Sequence, residues 1–326
     1  MLGNRKLSLL LLALSLALPG CGVASGLQAN LGSDTTLDAN GLPMEARTIK
    51  TEIGSITLGL LPNKRPASES QDEAVGDYES ELGLGLSVQA QTLPAKADLR
   101  SYFASVRNQG QLGSCAAFAT TSVMEATLKI KGKKPSKLDH LAPLFFYYAT
   151  RQAMQDSGRM AKATKRDTGS FMDLAARTAV KIGAPSEDLV PYRDGKTGLA
   201  YDPTDAEYAA AKDFHMLSTK RVSTVKGMKS ALAAKHPIII GVPLYQSFMT
   251  KALAQSGQMT LPQKGEQIVG GHAMAVVGYD DAKESFLIRN SWGSDWGQGG
   301  YFYMPYDYFQ PSYIGKDGYF SCYIFE

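Results

Sequence analysis

Gln109-Gly110-Gln111-Leu112-Gly113-Ser114-Cys115-Ala116-Ala117-Phe118-Ala119 is the stretch on which the fold of this chain turns. Up to Ser114 it consists of glycine and small or polar residues suited to a loop. From Ala116 to Ile130 there is neither Gly nor Pro, and apolar side chains recur on nearly every side. That pattern predicts a buried helix stopped at Gly132 and places Cys115 at its N-terminus. The positive end of a helix dipole favours an anion, so a thiol held there is biased toward its nucleophilic thiolate.

Two later blocks supply the partners such a thiol needs. His272 lies in Gly271-His272-Ala273-Met274-Ala275-Val276-Val277-Gly278-Tyr279, at the head of a predicted strand, and Asn290 in Arg289-Asn290-Ser291-Trp292-Gly293, just past another. An imidazole titrates near neutrality, so it can take a proton from the thiol and return it to a leaving amine. A carboxamide oxygen can accept the other ring N–H and fix the tautomer. Gln109 offers a side-chain N–H that, with the backbone N–H of Cys115, can stabilise the oxyanion of a tetrahedral intermediate; loss of one such donor typically costs about 3 to 4 kcal/mol in the barrier. Thiol, ring, carboxamide and second amide donor are the parts for acyl transfer from a peptide to water.

These three blocks, in this order and with the glutamine at this offset, resemble the papain-type cysteine peptidases in their bacterial branch. The resemblance extends through Gly169-Ser170-Phe171, Val190-Pro191-Tyr192, Pro237-Ile238-Ile239-Ile240 and Tyr301-Phe302-Tyr303-Met304-Pro305-Tyr306, and so over nearly all of residues 94–326. It implies a cysteine peptidase working through a thiolate–imidazolium pair of Cys115 and His272 and an acyl-enzyme intermediate. Asn290 and Gln109 take the roles given above, and Trp292 both shields the His272–Asn290 bond from water and borders the substrate groove. The implied fold is α+β with two lobes: a mainly helical left lobe with a buried central helix, an antiparallel β-barrel-like right lobe, and the active-site cleft between them. Substrate backbone is expected to pair at Gly169, and Ser170 is counted with it among the substrate-binding residues. Phe171, Met172, Gly241 and Ala273 are expected to line a pocket favouring an apolar or aromatic side chain two residues before the cut. No added loop with paired histidines occurs, which points to an endopeptidase. The chain departs from the family pattern at Ala116, where a tryptophan commonly follows the nucleophile, at Gly271, which replaces an acid, and at Ser170, the second of the usual paired glycines. Relatives with disulfides carry a bridging cysteine where Leu112 stands.

Of the 326 residues, 44% are hydrophobic and 20% charged, which excludes disorder as the main state and leaves room for a presequence before one well-buried domain. Arg5-Lys6 and the apolar run from Leu7 to Leu18 read as a signal peptide over residues 1–21, the run being too short for a good membrane span. It closes on Leu18-Pro19-Gly20-Cys21, which resembles the bacterial lipoprotein box, with Cys21 as the lipidated residue; ordinary cleavage after Gly22-Val23-Ala24 is the alternative. The protein is accordingly expected to be exported to the bacterial cell envelope, as an outer-membrane lipoprotein touching the membrane only through its N-terminal lipid, or secreted. With Cys21 spent on lipid and Cys115 needed as a free thiol, Cys322 has no partner left in the chain. Period-two alternation groups it with Phe320 and Ile324 on one strand face, as a core thiol.

Residues 22–93 carry ten acidic and four basic side chains, and residues 94–326 carry 28 basic and 21 acidic ones. An acidic leader, partly folded at best, can therefore lie against a basic domain. Thr48 to Leu61 is apolar enough for strand-like contacts with a groove, so the leader is read as a self-inhibitory prosegment, with a permanent tether as the alternative. It lacks the long helical pattern of familiar papain-type propeptides. Lys129, Lys131, Lys133, Lys134 and Lys137 have no interleaved aromatics, and no nucleic-acid partner is expected. No metal-ligand spacing or phosphate loop occurs, His140, His215 and His236 included, so no metal and no cofactor is implied. Helices are predicted over 142–155, 171–182 and 205–212, and strands over 238–242, 273–279, 286–289, 301–304 and 319–325. The expected partner is a protein or peptide substrate, taken by a monomer. Rival readings are a cell-wall peptide transpeptidase or amidase using the same thiol, and a surface binding protein that keeps the fold without catalysis.

Overall fold

The computed structural model describes residues 45–63, 75–78, 92–133, 139–315 and 318–326. Residues 1–44, with Cys21, and most of the acidic segment from Glu69 to Glu81 lie outside them.

Helix α1, Cys115–Ile130, has 14 of its 16 residues buried, as an all-round apolar pattern requires. Its polar residues are accommodated locally: the Thr121 and Ser122 hydroxyls donate to the Ala117 and Ala119 carbonyls, each at 2.9 Å. Helices α2, Pro143–Asp156, with proline in its first turn, and α3, Met172–Lys181, pack on α1 and complete the helical lobe. Glu125 is buried within α1. It accepts the Leu141 N–H at 2.8 Å and the Arg107 guanidinium at 3.2 Å, and the other arm of Arg107 reaches Glu187 at 2.6 Å.

Strands β1, Arg47–Thr51, and β2, Gly54–Leu58, form a separate antiparallel hairpin in the leader. The second lobe is built from β3, Val75–Asp77; β4, Lys96–Asp98; β5, Thr219–Arg221; β6, Ile238–Tyr245; β7, Ile268–Asp280; β8, Ser285–Arg289; β9, Tyr301–Pro305; and β10, Ser321–Phe325. They form one sheet in the order β3-β5-β10-β6-β7-β8-β9, with β4 paired to β7. All pairs are antiparallel except β3 with β5. Among the described residues no ladder joins β9 to β3, so the lobe is an open sheet and not a closed barrel. No described helix is long and apolar enough to cross a membrane.

The α+β architecture expected from the sequence is present; four of the predicted strands run longer than expected, the last is shorter at Ser321–Phe325, and the short strands β3, β4 and β5 lie outside the predicted set. β7 begins at Ile268 because Gly270 and Gly271, poor strand formers on their own, pair with Leu244 and Pro243 of β6. A helix at Val225–Ala233, capped by Thr224 on the Gly227 N–H at 3.0 Å, lies outside the predicted set, since Gly227 and Lys229 interrupt its apolar pattern. Cys322 stands opposite Ile240 in the β10–β6 ladder, 1% exposed, and is a core residue.

Glu125→Ala would orphan the Leu141 N–H and leave Arg107 with Glu187 and the Leu141 carbonyl. Urea unfolding is expected to show a loss of about 3 kcal/mol relative to the unsubstituted chain, with the denaturant slope unchanged.

Candidate active site

The two lobes meet where α1 packs against β7. The thiol of Cys115, first residue of α1, accepts the N–H groups of Ala116, of Ala273 and of Gly59. Ala273 follows His272 on β7, so the sulfur lies against the strand backbone next to the histidine. The His272 Nε2 bonds to Asn290 Oδ1 at 2.9 Å, and the same oxygen accepts the Ser291 N–H at 2.8 Å. An oxygen that accepts from a backbone N–H must also accept from the ring, so Nε2 carries the hydrogen and Nδ1 is the basic nitrogen. Nδ1 has no hydrogen-bond partner. The Trp292 indole lies 4.9 Å from the imidazole at 30° and covers it, backed by edge contacts from Phe248 and Trp296. Trp292 also borders a groove beneath the leader hairpin, together with Ile56 and Trp296.

Gln109 is held on every side. Its backbone N–H donates to the Ser291 carbonyl at 2.8 Å and its side-chain Oε1 accepts the Ser291 hydroxyl at 2.6 Å. The Tyr192 hydroxyl donates to its carbonyl at 2.7 Å and meets the Ser114 hydroxyl at 2.8 Å. The amide is thereby turned so that Nε2 donates to Leu112 O at 3.0 Å and to Thr57 O, in the leader, at 3.1 Å. Ser291 and Tyr192 stand inside sequence blocks that attract notice for other residues. Their supporting roles depend on contacts between distant segments, which no local pattern reveals.

The leader itself crosses the site. Ser170 N–H donates to Gly59 O at 2.7 Å, Leu61 N–H to Ser170 O at 2.9 Å, and Leu60 N–H to Gly271 O at 3.3 Å. The segment thus runs parallel to Ser170 and antiparallel to Gly271. The backbone pairing expected at Gly169 is made by Ser170 instead, because the Gly169 N–H is engaged by the Tyr147 hydroxyl at 2.9 Å. Gly169 contributes by its lack of a side chain: a Cβ there would strike the Gly59 carbonyl, and one on Gly59 would strike the carbonyl of Gly113.

Leu60 fills the recess that Gly241 and Gly271 leave open, with the Tyr319 ring packed over Gly271. Gly241 is opposite Ala273 in the β6–β7 register. Met172 is buried in the main core, whereas Phe171 packs in a smaller apolar cluster with Leu61, Met154 and Leu174, under the Arg159 guanidinium 3.9 Å from its ring. Phe171 therefore serves the position after Leu60. Tyr319 and Gly271, absent from the expected pocket set, help to bound the recess.

Cys115 and His272 are both fully buried. Burial pushes the thiol up to about 11 in spite of the three N–H donors, and takes the imidazole down to about 4 in spite of the Asn290 bond. Under the leader the pair is a neutral thiol beside a neutral ring. The charged pair expected from the sequence is disfavoured while the cleft is covered.

Comparison with known proteins agrees with this geometry. The family model described as papain family cysteine protease matches residues 93–320. An uncharacterized peptidase C1-like protein of Acanthamoeba polyphaga mimivirus is 29% identical over 223 residues, 64% of this chain and 67% of that protein. Cathepsin S of Rattus norvegicus is 29% identical over 221 residues, 66% of this chain and 61% of that one, so the match spans less than two thirds of the cathepsin. Among solved structures, xylellain, a cysteine protease from Xylella fastidiosa, is 26% identical with a TM-score of 0.67, covering 86% of this chain and 97% of its own. Digestive procathepsin L 3 of Tenebrio molitor larval midgut, 21% identical over 72% of this chain and 71% of its own with a TM-score of 0.54, shares the fold. The family match runs from just before β4 to just before β10 and takes in the thiol, the imidazole and the carboxamide that the fold has gathered; the chain belongs to the papain family of cysteine proteases and is a cysteine-type peptide hydrolase.

Proposed function

We propose that the protein is an endopeptidase held in a self-inhibited form by its own leader, with Cys115 as nucleophile, His272 as general base and then acid, Asn290 orienting the ring, and Gln109 with the Cys115 N–H as oxyanion donors. The observation that carries this reading is the leader: an extended peptide lies over the thiol with its Thr57 carbonyl on the Gln109 amide, its Gly59 N–H on the sulfur and Leu60 in the apolar recess. A site that satisfies a peptide main chain at these points is suited to a peptide substrate.

In the open cleft the thiol proton passes to Nδ1, and the Sγ thiolate attacks the carbonyl carbon of the substrate. The negative charge that forms on the carbonyl oxygen is met by Gln109 Nε2 and the Cys115 N–H. Collapse expels the amine, which takes the proton from His272, and water then hydrolyses the thioester by the same route in reverse. The recess at Gly241, Gly271 and Tyr319 selects an apolar side chain. Export, with Cys21 as lipid anchor, belongs to the same proposal and rests on the composition of residues 1–21.

The leader also controls protonation. Removing it admits water to the sulfur and the ring, which lowers the burial cost that keeps both neutral. The helix dipole and the remaining N–H donors then favour thiolate beside imidazolium. For His272 the sign is clear: an imidazole held down to about 4 in the covered form, against 6.5 ordinarily, makes the covered form resist protonation. Cys115, held up to about 11 under the leader, shifts the opposite way, so opening that makes thiolate and imidazolium together moves one proton within the pair and leaves the covered-to-open balance nearly insensitive to pH between 4 and 6.5.

Cys115→Ala is expected to abolish peptide hydrolysis and labelling by a thiol-directed epoxide; cleavage at the unsubstituted rate would refute the nucleophile. Gly59→Ala sets a methyl against the Gly113 backbone, and overpacking of about 1 to 3 kcal/mol should raise epoxide labelling of the full chain by roughly 10- to 100-fold. An unchanged labelling rate would mean that the leader does not inhibit. Labelling of the unsubstituted full chain, measured by mass spectrometry of the Cys115 peptide, should stay nearly flat from pH 6.5 to 4, and a steep rise on acidification would mean that opening protonates His272 without ionising Cys115.

A further inference from the structure

Asp167 is a partly buried acid that the reaction does not use. Its two oxygens accept the Gly113 N–H at 3.1 Å each, and one also accepts the Tyr147 hydroxyl at 2.5 Å. That hydroxyl in turn accepts the Gly169 N–H at 2.9 Å. Tyr147 is wholly buried on α2, and the Arg151 guanidinium, one turn further on, lies 4.1 Å from its ring. Arg151 is itself wholly buried and donates to the Thr164 and Arg166 carbonyls at 3.2 and 2.8 Å; burial raises Asp167 above the usual carboxylate range, and the Tyr147 and Gly113 bonds together with the Arg151 charge offset part of that rise. From outside, the leader caps the group, with the Ala46 N–H on the Asp167 carbonyl at 3.0 Å.

The two glycines so joined belong to different parts of the site. Gly113 follows Leu112, whose carbonyl holds the Gln109 amide, and lies just before the nucleophile. Gly169 precedes Ser170, whose N–H and C=O form the peptide ladder. One carboxylate and one phenol therefore tie the loop of the oxyanion donors to the edge that holds a peptide. Neither described cysteine is in a disulfide, so no covalent link among the described residues does this.

We propose that Asp167 and Tyr147 are positioning residues: through Gly113 and Gly169 they fix the separation between the nucleophile loop and the peptide-binding edge, without touching substrate. The proposal rests on the peptidase reading above. A shift of about 1 Å between reacting groups can cost on the order of a hundredfold in rate, which is the scale such a clamp controls.

Tyr147→Phe keeps the ring and its Arg151 contact and removes only the hydroxyl. Asp167→Asn keeps the shape but turns an NH2 toward a donor. In both, with active sites counted by epoxide titration once the leader has been clipped from the folded protein by limited proteolysis, hydrogen exchange should quicken in the peptides containing Gly113 and Gly169. The kcat/KM should fall roughly 10- to 100-fold for substrates long enough to pair with Ser170, and much less for one with a single residue before the cut. Unchanged exchange at both glycines with an unchanged ratio of long to short substrates overturns the clamp. A uniform fall on both substrates with a lower melting temperature assigns a purely stabilising role and overturns it as well. If the unsubstituted chain neither cleaves peptides nor labels at Cys115, the peptidase reading fails and takes the positioning role with it, while the exchange result still tells whether the clamp exists.

Discussion

The contact between α1 and β7 is the constraint on which the site depends. Cys115 begins a helix buried along 14 of its 16 residues, and His272 sits on a strand buried from Gly270 to Asp280. Each therefore comes from a different lobe, and the N–H of Ala273 on the Cys115 sulfur marks where the two are joined. Elements packed this tightly do not slide independently. The same alignment is repeated nearby: Gln109 and Ser291 exchange two hydrogen bonds, and Arg289 at the end of β8 donates to the carbonyls of Ala104 and Ser105 at 2.9 and 2.6 Å. The loop before the nucleophile and the turn after Asn290 are thus one body.

The leader acts on this assembly in two ways. It blocks access, with Leu60 in the recess and the Gly59 N–H on the thiol, and it changes what the thiol is. A sulfur with three N–H donors would ordinarily ionise readily, yet exclusion of water outweighs them. The reactivity that the helix N-terminus provides is therefore conditional on solvent reaching the cleft. Both effects trace to one segment, Thr57 to Leu61, whose paired main chain and buried Leu58, Leu60 and Leu61 side chains cover the sulfur.

The catalytic parts are legible in the sequence because each is a short block with its own chemistry. The helix from Cys115 is legible too, since a run that is apolar on all sides is stable only when surrounded by protein. The groove is less so. Ser170 is marked by its neighbours, but only the fold shows that it makes the ladder while the Gly169 N–H is engaged by Tyr147. Tyr319 bounds the recess from a point more than two hundred residues after Cys115, with no local pattern to mark it. The Asp167–Tyr147 pair is a meeting of positions 113, 147, 167 and 169, each ordinary in its own context. Periodicity reports which face of an element is buried, and it is silent on which buried polar groups will find one another.

The glycines of the cleft have a further consequence. Gly113, Gly169, Gly241 and Gly271 all lie against the leader, each where a side chain would collide with it or with its surroundings. With the leader gone, this floor is bare main chain. Bare main chain grips only what every polypeptide shares, its own amides, so affinity along the floor is indifferent to sequence. Side chains are received along that floor at two points, Leu60 in its recess and Leu61 beside Phe171, Met154 and Leu174, so whatever preference it has is set at those two places.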